Sequence, residues 1–225
     1  MLQFLRYKPI WAAFAATLIV GTGSSIAGGA GAYFYTYVLG DMKLMSGVSV
    51  IGLIASLVGI VMGPYLANRF GKKKVYLTAV IISTALNLLR LLDVTSMILI
   101  YISALIGGVA GGWMVPVNTS IQADNTTYVQ YKTGKRAEAA IASLTSFVSK
   151  VAQGLGGAIP GYVIAAYGFV TGASVQPESI NTGIILCALI LPLIFGILGL
   201  LIFGTQYTLD QKAVIEMDAK INRNN

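Results

Sequence analysis

"YVQYKTGKRAEA", residues 128–139, gathers four charged side chains, Lys132, Lys135, Arg136 and Glu138, into a chain whose charged fraction is only 10%. The sequence on either side is apolar, from Ser96 to Asn118 before it and from Ala137 to Tyr167 after it. A hydrocarbon core of roughly 30 Å requires about 20 apolar residues of a helix that crosses it. The charged island therefore reads as the turn between two membrane helices.

Four more runs of the same kind lie outward from it: Ile10 to Leu39, Ser46 to Asn68, Val75 to Leu92, and Ile180 to Gly204. The composition agrees, with 56% hydrophobic residues and 26 glycines in 225, and a mean hydropathy of +0.78. These features predict an all-α membrane protein with six transmembrane helices over residues 1–204 and a C-terminal tail over 205–225. Arg6 and Lys8 ahead of the first run imitate a secretory signal. The run continues through Ala32 to Val38, past the roughly 7–15 apolar residues of a signal core, and so reads as a retained helix.

Lysine and arginine set the orientation, because short cytoplasmic loops carry their excess. Arg6 and Lys8 precede the first helix. Arg69, Lys72, Lys73 and Lys74 separate the second from the third, Lys132, Lys135 and Arg136 the fourth from the fifth, and Lys212, Lys220 and Arg223 lie in the tail. The alternate loops offer Lys43 beside Asp41, then Asp93 and Glu178. Both termini are expected in the cytoplasm, and the net charge of +7 is a topology signal. The basic loops are also placed to meet anionic lipid headgroups. No basic stripe is interleaved with exposed aromatics, so nucleic acid is not an expected partner.

The chain has no histidine and one cysteine, Cys187. That excludes the usual metal clusters, disulfide frameworks and a serine-histidine protease. Cys187 reads as a small residue facing lipid or core.

"GPYLANRFGKKK" (63–74) resembles the helix-turn-helix signature of major facilitator transporters. "QADNTTYVQYKTGKRAEA" (122–139) resembles, more specifically, the cytoplasmic loop of the glycoside-pentoside-hexuronide:cation symporters, the melibiose permease-like sugar carriers. Ala123, Asp124, Tyr128, Tyr131, Lys132, Thr133, Gly134, Arg136 and Glu138 match that pattern. Thr127 and Gln130 stand where the family usually carries acids. "AYFYTYVLGD" (32–41) and "GGAIPGYVIAAYG" (156–168) look like helices of that family's carboxyl half, and the opening "MLQFLRYKPIW" looks like the exit from its central loop.

The resemblance implies one six-helix half of a twelve-helix major facilitator fold, working in the plasma membrane as a sugar:cation symporter by alternating access. It implies a sugar substrate, membrane lipid around the chain, and an amino-terminal half or a second copy (a homodimer) as partner. No tightly bound cofactor is expected. A coupling cation, Na+ or H+, is expected in the complete transporter. The other reading is a truncated, non-transporting membrane protein that assembles with a partner.

A charge at membrane depth costs at least about 2.5–3.5 kcal/mol on insertion scales. Lys150 is the one charge deep in a run, about 20 Å from the helix start at 1.5 Å per residue. Ser143, Ser146 and Gln153 fall on its side of an ideal helix, giving a polar face that lines a cavity or, alternatively, a lysine that snorkels to the interface. The resemblance adds that Lys150 and Ser146 match family positions beside the sugar and the cation.

Asn118, with Gln122, marks a weaker stripe on helix 4, where Trp113 is either a sugar platform or a core or lipid residue. Tyr33 and Tyr37 are further cavity candidates, as is Asn87. Gly107 and Gly111, and Gly21 with Ser25 and Gly29, have the spacing of close helix contacts. Arg90 and Asp93 read as an exposed ion pair. Asp124, Arg136, Glu138, Arg69 and Lys132 are candidates for a cytoplasmic gate, or else charges that only fix topology. Every carboxylate lies outside the membrane core, so no carboxylate cation site is legible.

Overall fold

The computed structural model describes residues 5–173 and 175–223. Met1 to Phe4 of the expected transmembrane unit, Ser174, and Asn224 and Asn225 of the tail lie outside them. Every regular element is helical: α1 (Lys8–Tyr33), α2 (Lys43–Phe70), α3 (Lys72–Arg90), α4 (Met97–Thr133), α5 (Glu138–Ala166), α6 (Ser179–Ile185), α7 (Leu191–Gln206) and α8 (Gln211–Arg223). A π-helical turn, Phe34–Val38, prolongs α1, and another, Leu186–Ile190, joins α6 to α7 in one rod.

Four rods, Lys8–Val38, Lys43–Phe70, Met97–Thr133 and Ser179–Gln206, are long and apolar enough to cross a membrane. The other two long helices dilute their hydropathy. α3 opens on three lysines, and α5 carries Glu138, Lys150 and a row of serines.

Small residues decide which rods touch. α2 lies on α4, where a Cβ on Gly59 would collide with the Val109 carbonyl and one on Gly112 with that of Ser56. α1 lies on α5 in the same way: a Cβ on Gly21 would come 3.2 Å from Ala152 Cβ, and one on Gly29 would come 3.1 Å from Pro160 Cγ. The Gly21, Ser25 and Gly29 row thus does what its spacing implied. On α4 the expectation was off by one residue. Gly108 and Gly112 face α2, while nothing approaches within 4 Å of a Cβ on Gly111. Spacing alone fixes the four-residue row, and the register is set by which side of α4 the α2 backbone occupies.

The basic stretches meet at one end of the molecule. Gly71 turns α2 into α3 in a single residue at φ +89°, a region open to glycine. Lys73 Nζ donates to Gly204 O at 2.9 Å, a cation at the carboxyl end of α7 where the helix dipole favours it. Tyr76, Phe203 and Tyr207 stack in sequence, with ring centroids 4.1 and 4.4 Å apart, tying α3 to α7. Beyond them Leu209 and Val214 are buried in the same core. Cys187, fully buried, belongs to a second core near the opposite end.

Two expectations are corrected. The stretch 119–133 is not loop but the continuation of α4, and only Gly134 to Ala137 turn, starting from Gly134 at φ +69°. Ile121, Asn125 and Val129 recur every four residues and bury one face of this extension. Helical periodicity is met there by polar residues, so hydropathy ended the helix too early. Arg90 also does not pair with Asp93. Its guanidinium lies 5.0 Å over the Phe34 ring, while Asp93 Oδ1 accepts from the Thr95 N–H and hydroxyl. The π-helical turn after α1 carries Phe34 into reach of α3, and a stacked guanidinium gains where a solvated pair would not.

Candidate functional site

The polar face of α5 is where the sequence put it. Ser143, Ser146, Lys150 and Gln153 are all exposed on one side of the helix, while Ala152, Gly156 and Pro160 on the other side are buried against α1. Lys150 Nζ donates to Gln153 Oε1 at 3.3 Å and pairs with no carboxylate among the described residues. A second uncovered surface belongs to α2, where Leu53, Leu57, Val61 and Tyr65, four residues apart, are all exposed.

The remaining cavity candidates do not join this face. α1 and α5 run parallel, with Gly21 opposite Ala152 and Gly29 opposite Pro160, so Tyr33 sits roughly 20 Å along the bundle from Lys150. There it stacks on Tyr37 and meets Phe169 edge-on. Trp113 is packed against the core beside Gly63, its Nε1 buried without a partner among the described residues. Asn118 lines a partly open cavity of about 100 Å³ between α1, α4 and α5, with Thr17, Gln122, Asn125, Thr145 and Ser149, and with Tyr76 and Phe203 on its wall. Asn87 lines another, of about 400 Å³, with Ser24, Ser83 and Thr84.

At the basic end the candidate gate charges have unlike surroundings. Asp124 is buried and accepts from Lys72 Nζ at 2.6 Å, a link between α3 and α4. Arg69 is turned away and donates to the Tyr65 hydroxyl at 2.9 Å. With one residue between α2 and α3, the first turn of α3 puts Lys72, not Arg69, opposite α4. Arg136 and Glu138 make only an exposed contact at 3.5 Å. Lys132 lies 5.9 Å from the Tyr128 and Tyr131 ring centroids. Burial pushes the Tyr207 hydroxyl above its ordinary range, and the nearby Asp124 carboxylate adds to this.

Sequence reasoning missed Asn125, Thr145 and Ser149. Asn118, Gln122 and Asn125 have i, i+4, i+7 spacing, and Thr145 with Ser149 has i, i+4, so the helical period was the available signal. For Asn125 it was hidden because the helix was ended at Asn118. Also missed was the tail: α8 packs on the extension of α4, with Lys220 Nζ 5.9 Å over the Tyr131 ring.

The sequence profile of the family described as MFS/sugar transport protein matches residues 1–211. The uncharacterized symporter YjmB of Bacillus subtilis is 30% identical over 96% of this chain and 47% of its own length. The glucuronide carrier protein homolog of Escherichia coli is 28% identical over 95% of this chain and 48% of its own. The isoprimeverose transporter of Lactiplantibacillus pentosus is 28% identical over 66% and 31%. The chain spans about half the length of the curated relatives it matches most fully. These relatives are carriers rather than enzymes, which accords with the apolar rods of a multi-pass membrane protein and with the transporter resemblance of its charged turns. By the match over nearly all its length, the chain belongs to the MFS/sugar transport protein family.

Proposed function

We propose that this chain is the carboxyl-terminal half of a sugar:cation symporter of the plasma membrane, crossing it six times with both ends in the cytoplasm. The observation that carries the reading is the outward polar face of α5. Ser143, Ser146, Lys150 and Gln153 have no covering element, and a lysine there needs water, a ligand or a partner. In transporters built from repeats the substrate binds near mid-membrane between the halves, so an uncovered polar face is the wall of a cavity completed by an amino half. The names of the relatives support a sugar as substrate. Residues 1–204 would form the transmembrane half and 205–225 a cytoplasmic tail. Arg136 and Glu138, exposed and bound only to each other among the described residues, are charges free to close against the other half at each cycle.

Topology is checked by reporters: fusions after Gly134 and after Arg223 are expected to report the cytoplasm and one after Glu178 the outside. The same side for 134 and 178 would refute six crossings.

Function is tested by glucuronide uptake in a strain without carriers, with this chain alone and with the amino half of a family member. Accumulation is expected only with both halves. Lys150→Ala should lower it at least tenfold, a loss of about 1.4 kcal/mol or more in the charge's contact, at an unchanged level of chain in the membrane. Uptake by the Lys150→Ala pair equal to the parent's would remove α5 from the site.

A further inference from the structure

The tail helix α8 joins two charged turns that the other helices leave apart. The link leading to it is extended at Tyr207, with φ −80° and ψ 105°. Side chains two apart on extended chain point the same way. Tyr207 and Leu209 are accordingly both buried, in the core that holds Ala67 of α2, Tyr76 of α3 and Ile121 of α4. Asp210 then starts the helix: its Oδ1 accepts from the Gln211 N–H at 2.7 Å and its carbonyl from the Val214 N–H at 3.1 Å. Gln211 lines a cavity of about 230 Å³ with Gly71, Lys72, Lys73 and Lys74 at the α2–α3 turn. Seven residues on, about 10 Å along the helix, Asp218 lines another of about 350 Å³ with Arg136 and Glu138 at the α4–α5 turn.

This bridge is lightly held. Val214, Met217 and Ile221 recur at i, i+3 and i+7 as the packed face of α8 on the extension of α4, Val214 buried and the other two half-buried. Lys212, Ile215, Glu216, Asp218 and Lys220 are exposed. Charge decides what the far end of the bridge does. The α4 wall of the larger cavity is neutral, with Thr126, Thr127 and Gln130, so among the described residues Arg136 is the one cation lining it, against Glu138 and Asp218. Arg136 reaches Glu138 at 3.5 Å, while Asp218 pairs with no cation among the described residues. A guanidinium has five N–H donors and can serve two carboxylates. Opposite charges sharing one cavity attract, so Asp218 draws on a guanidinium that Glu138 holds only loosely.

We infer that α8 is a strap across the basic mouth and Asp218 a positioning residue, which keeps Arg136 on this half until the other half takes the guanidinium from it. A surface ion pair yields easily, which suits a restraint released in every cycle. The inference deepens the role given to Arg136 above and rests on that reading only for its effect on uptake. Strap release is measured on this chain alone, so a failure of uptake and a failure of the strap are separate results.

The probe is a water-soluble maleimide on Thr127→Cys, a half-buried position lining the cavity with Asp218, in a chain whose Cys187 is replaced by Ala. With the purified chain in detergent micelles, Asp218→Asn should speed labelling about two- to fivefold, the range of a surface ion pair. Asp218→Glu should restore the parent rate, which loss of packing alone would not predict. Val214→Asp puts a charge into the packed face of α8 and should speed labelling about tenfold or more. Should that variant fail to fold, the Asn and Glu variants at the exposed position 218 decide. With the amino half of a family member, Asp218→Asn should raise the rate of glucuronide uptake about twofold while Asp218→Glu matches the parent. If no pair of halves takes up sugar, the labelling alone decides. Equal labelling for Asp218→Asn and the parent, or for Asp218→Glu and Asp218→Asn, would take the carboxylate out of the strap and overturn the inference. Faster labelling with slower uptake in Asp218→Asn would make α8 a support for transport rather than a restraint, and would overturn it too.

Discussion

Gly112→Leu is expected to unfold the contact between α2 and α4 on which the bundle depends. A Cβ at 112 would lie inside the Ser56 backbone, and a backbone cannot rotate away as a side chain can. The two helices must separate, and in lipid it is close packing, not the hydrophobic effect, that holds them. Overpacking a tight contact typically costs about 1–3 kcal/mol, and at a rigid backbone-to-backbone crossing the upper end or beyond applies. Gly111→Ala is the matched control one residue away, because nothing lies within 4 Å of its Cβ. Removing a mid-helix glycine there should be neutral or stabilising by about 0.5–1 kcal/mol. The measurement is the SDS mole fraction at which each variant loses helical ellipticity and protease resistance. Equal midpoints for the two would show that the α2–α4 crossing is not glycine-dependent.

The same pair of glycines shows where the sequence was readable. Apolar runs located the four rods that are long and apolar enough to cross a membrane, because the length a rod needs in hydrocarbon is a strong constraint that every run carries by itself. Which side of a rod faces which neighbour depends on residues far away in the chain, and a stripe of glycines every four residues looks the same in either register. The polar half of α4 failed for a different reason. Asp124 and Asn125 are buried by partners on other helices, Lys72 above all, and hydropathy scores them as solvent-facing. The α5 face was legible since Lys150, Ser146 and Gln153 share one helix. The cavity of Thr17, Asn125 and Ser149 was not, since it takes one residue from each of three helices.

Lys72→Ala should destabilise the chain much more than Arg136→Ala, although both remove one positive charge from the same end. Asp124 keeps 10% of its side-chain surface exposed against 22% for Lys72, so removing the lysine leaves a carboxylate with little water to replace it. Breaking a fully buried pair costs about 3–5 kcal/mol. The partial exposure of Lys72 lowers the expectation to about 2–3 kcal/mol, since water screens part of the attraction. Arg136 and Glu138, at 73% and 70% exposure, touch at 3.5 Å and hold nothing in place, so Arg136→Ala should leave the SDS midpoint unchanged. Its effect belongs to the assembled carrier, where it is expected to slow uptake by favouring the inward-open form. A double variant, Lys72→Met with Asp124→Leu, removes both charges and fills the space with apolar atoms, and should recover most of the stability lost in Lys72→Ala. This recovery separates an unpaired carboxylate from simple loss of the lysine's aliphatic packing, which the double variant would not restore to the same degree. Equal midpoints for Lys72→Ala and Arg136→Ala would mean that Asp124 finds water or another donor when α3 shifts. The bond between α3 and α4 would then be one that yields as easily as the exposed pair, and both would be available to open and close the basic mouth.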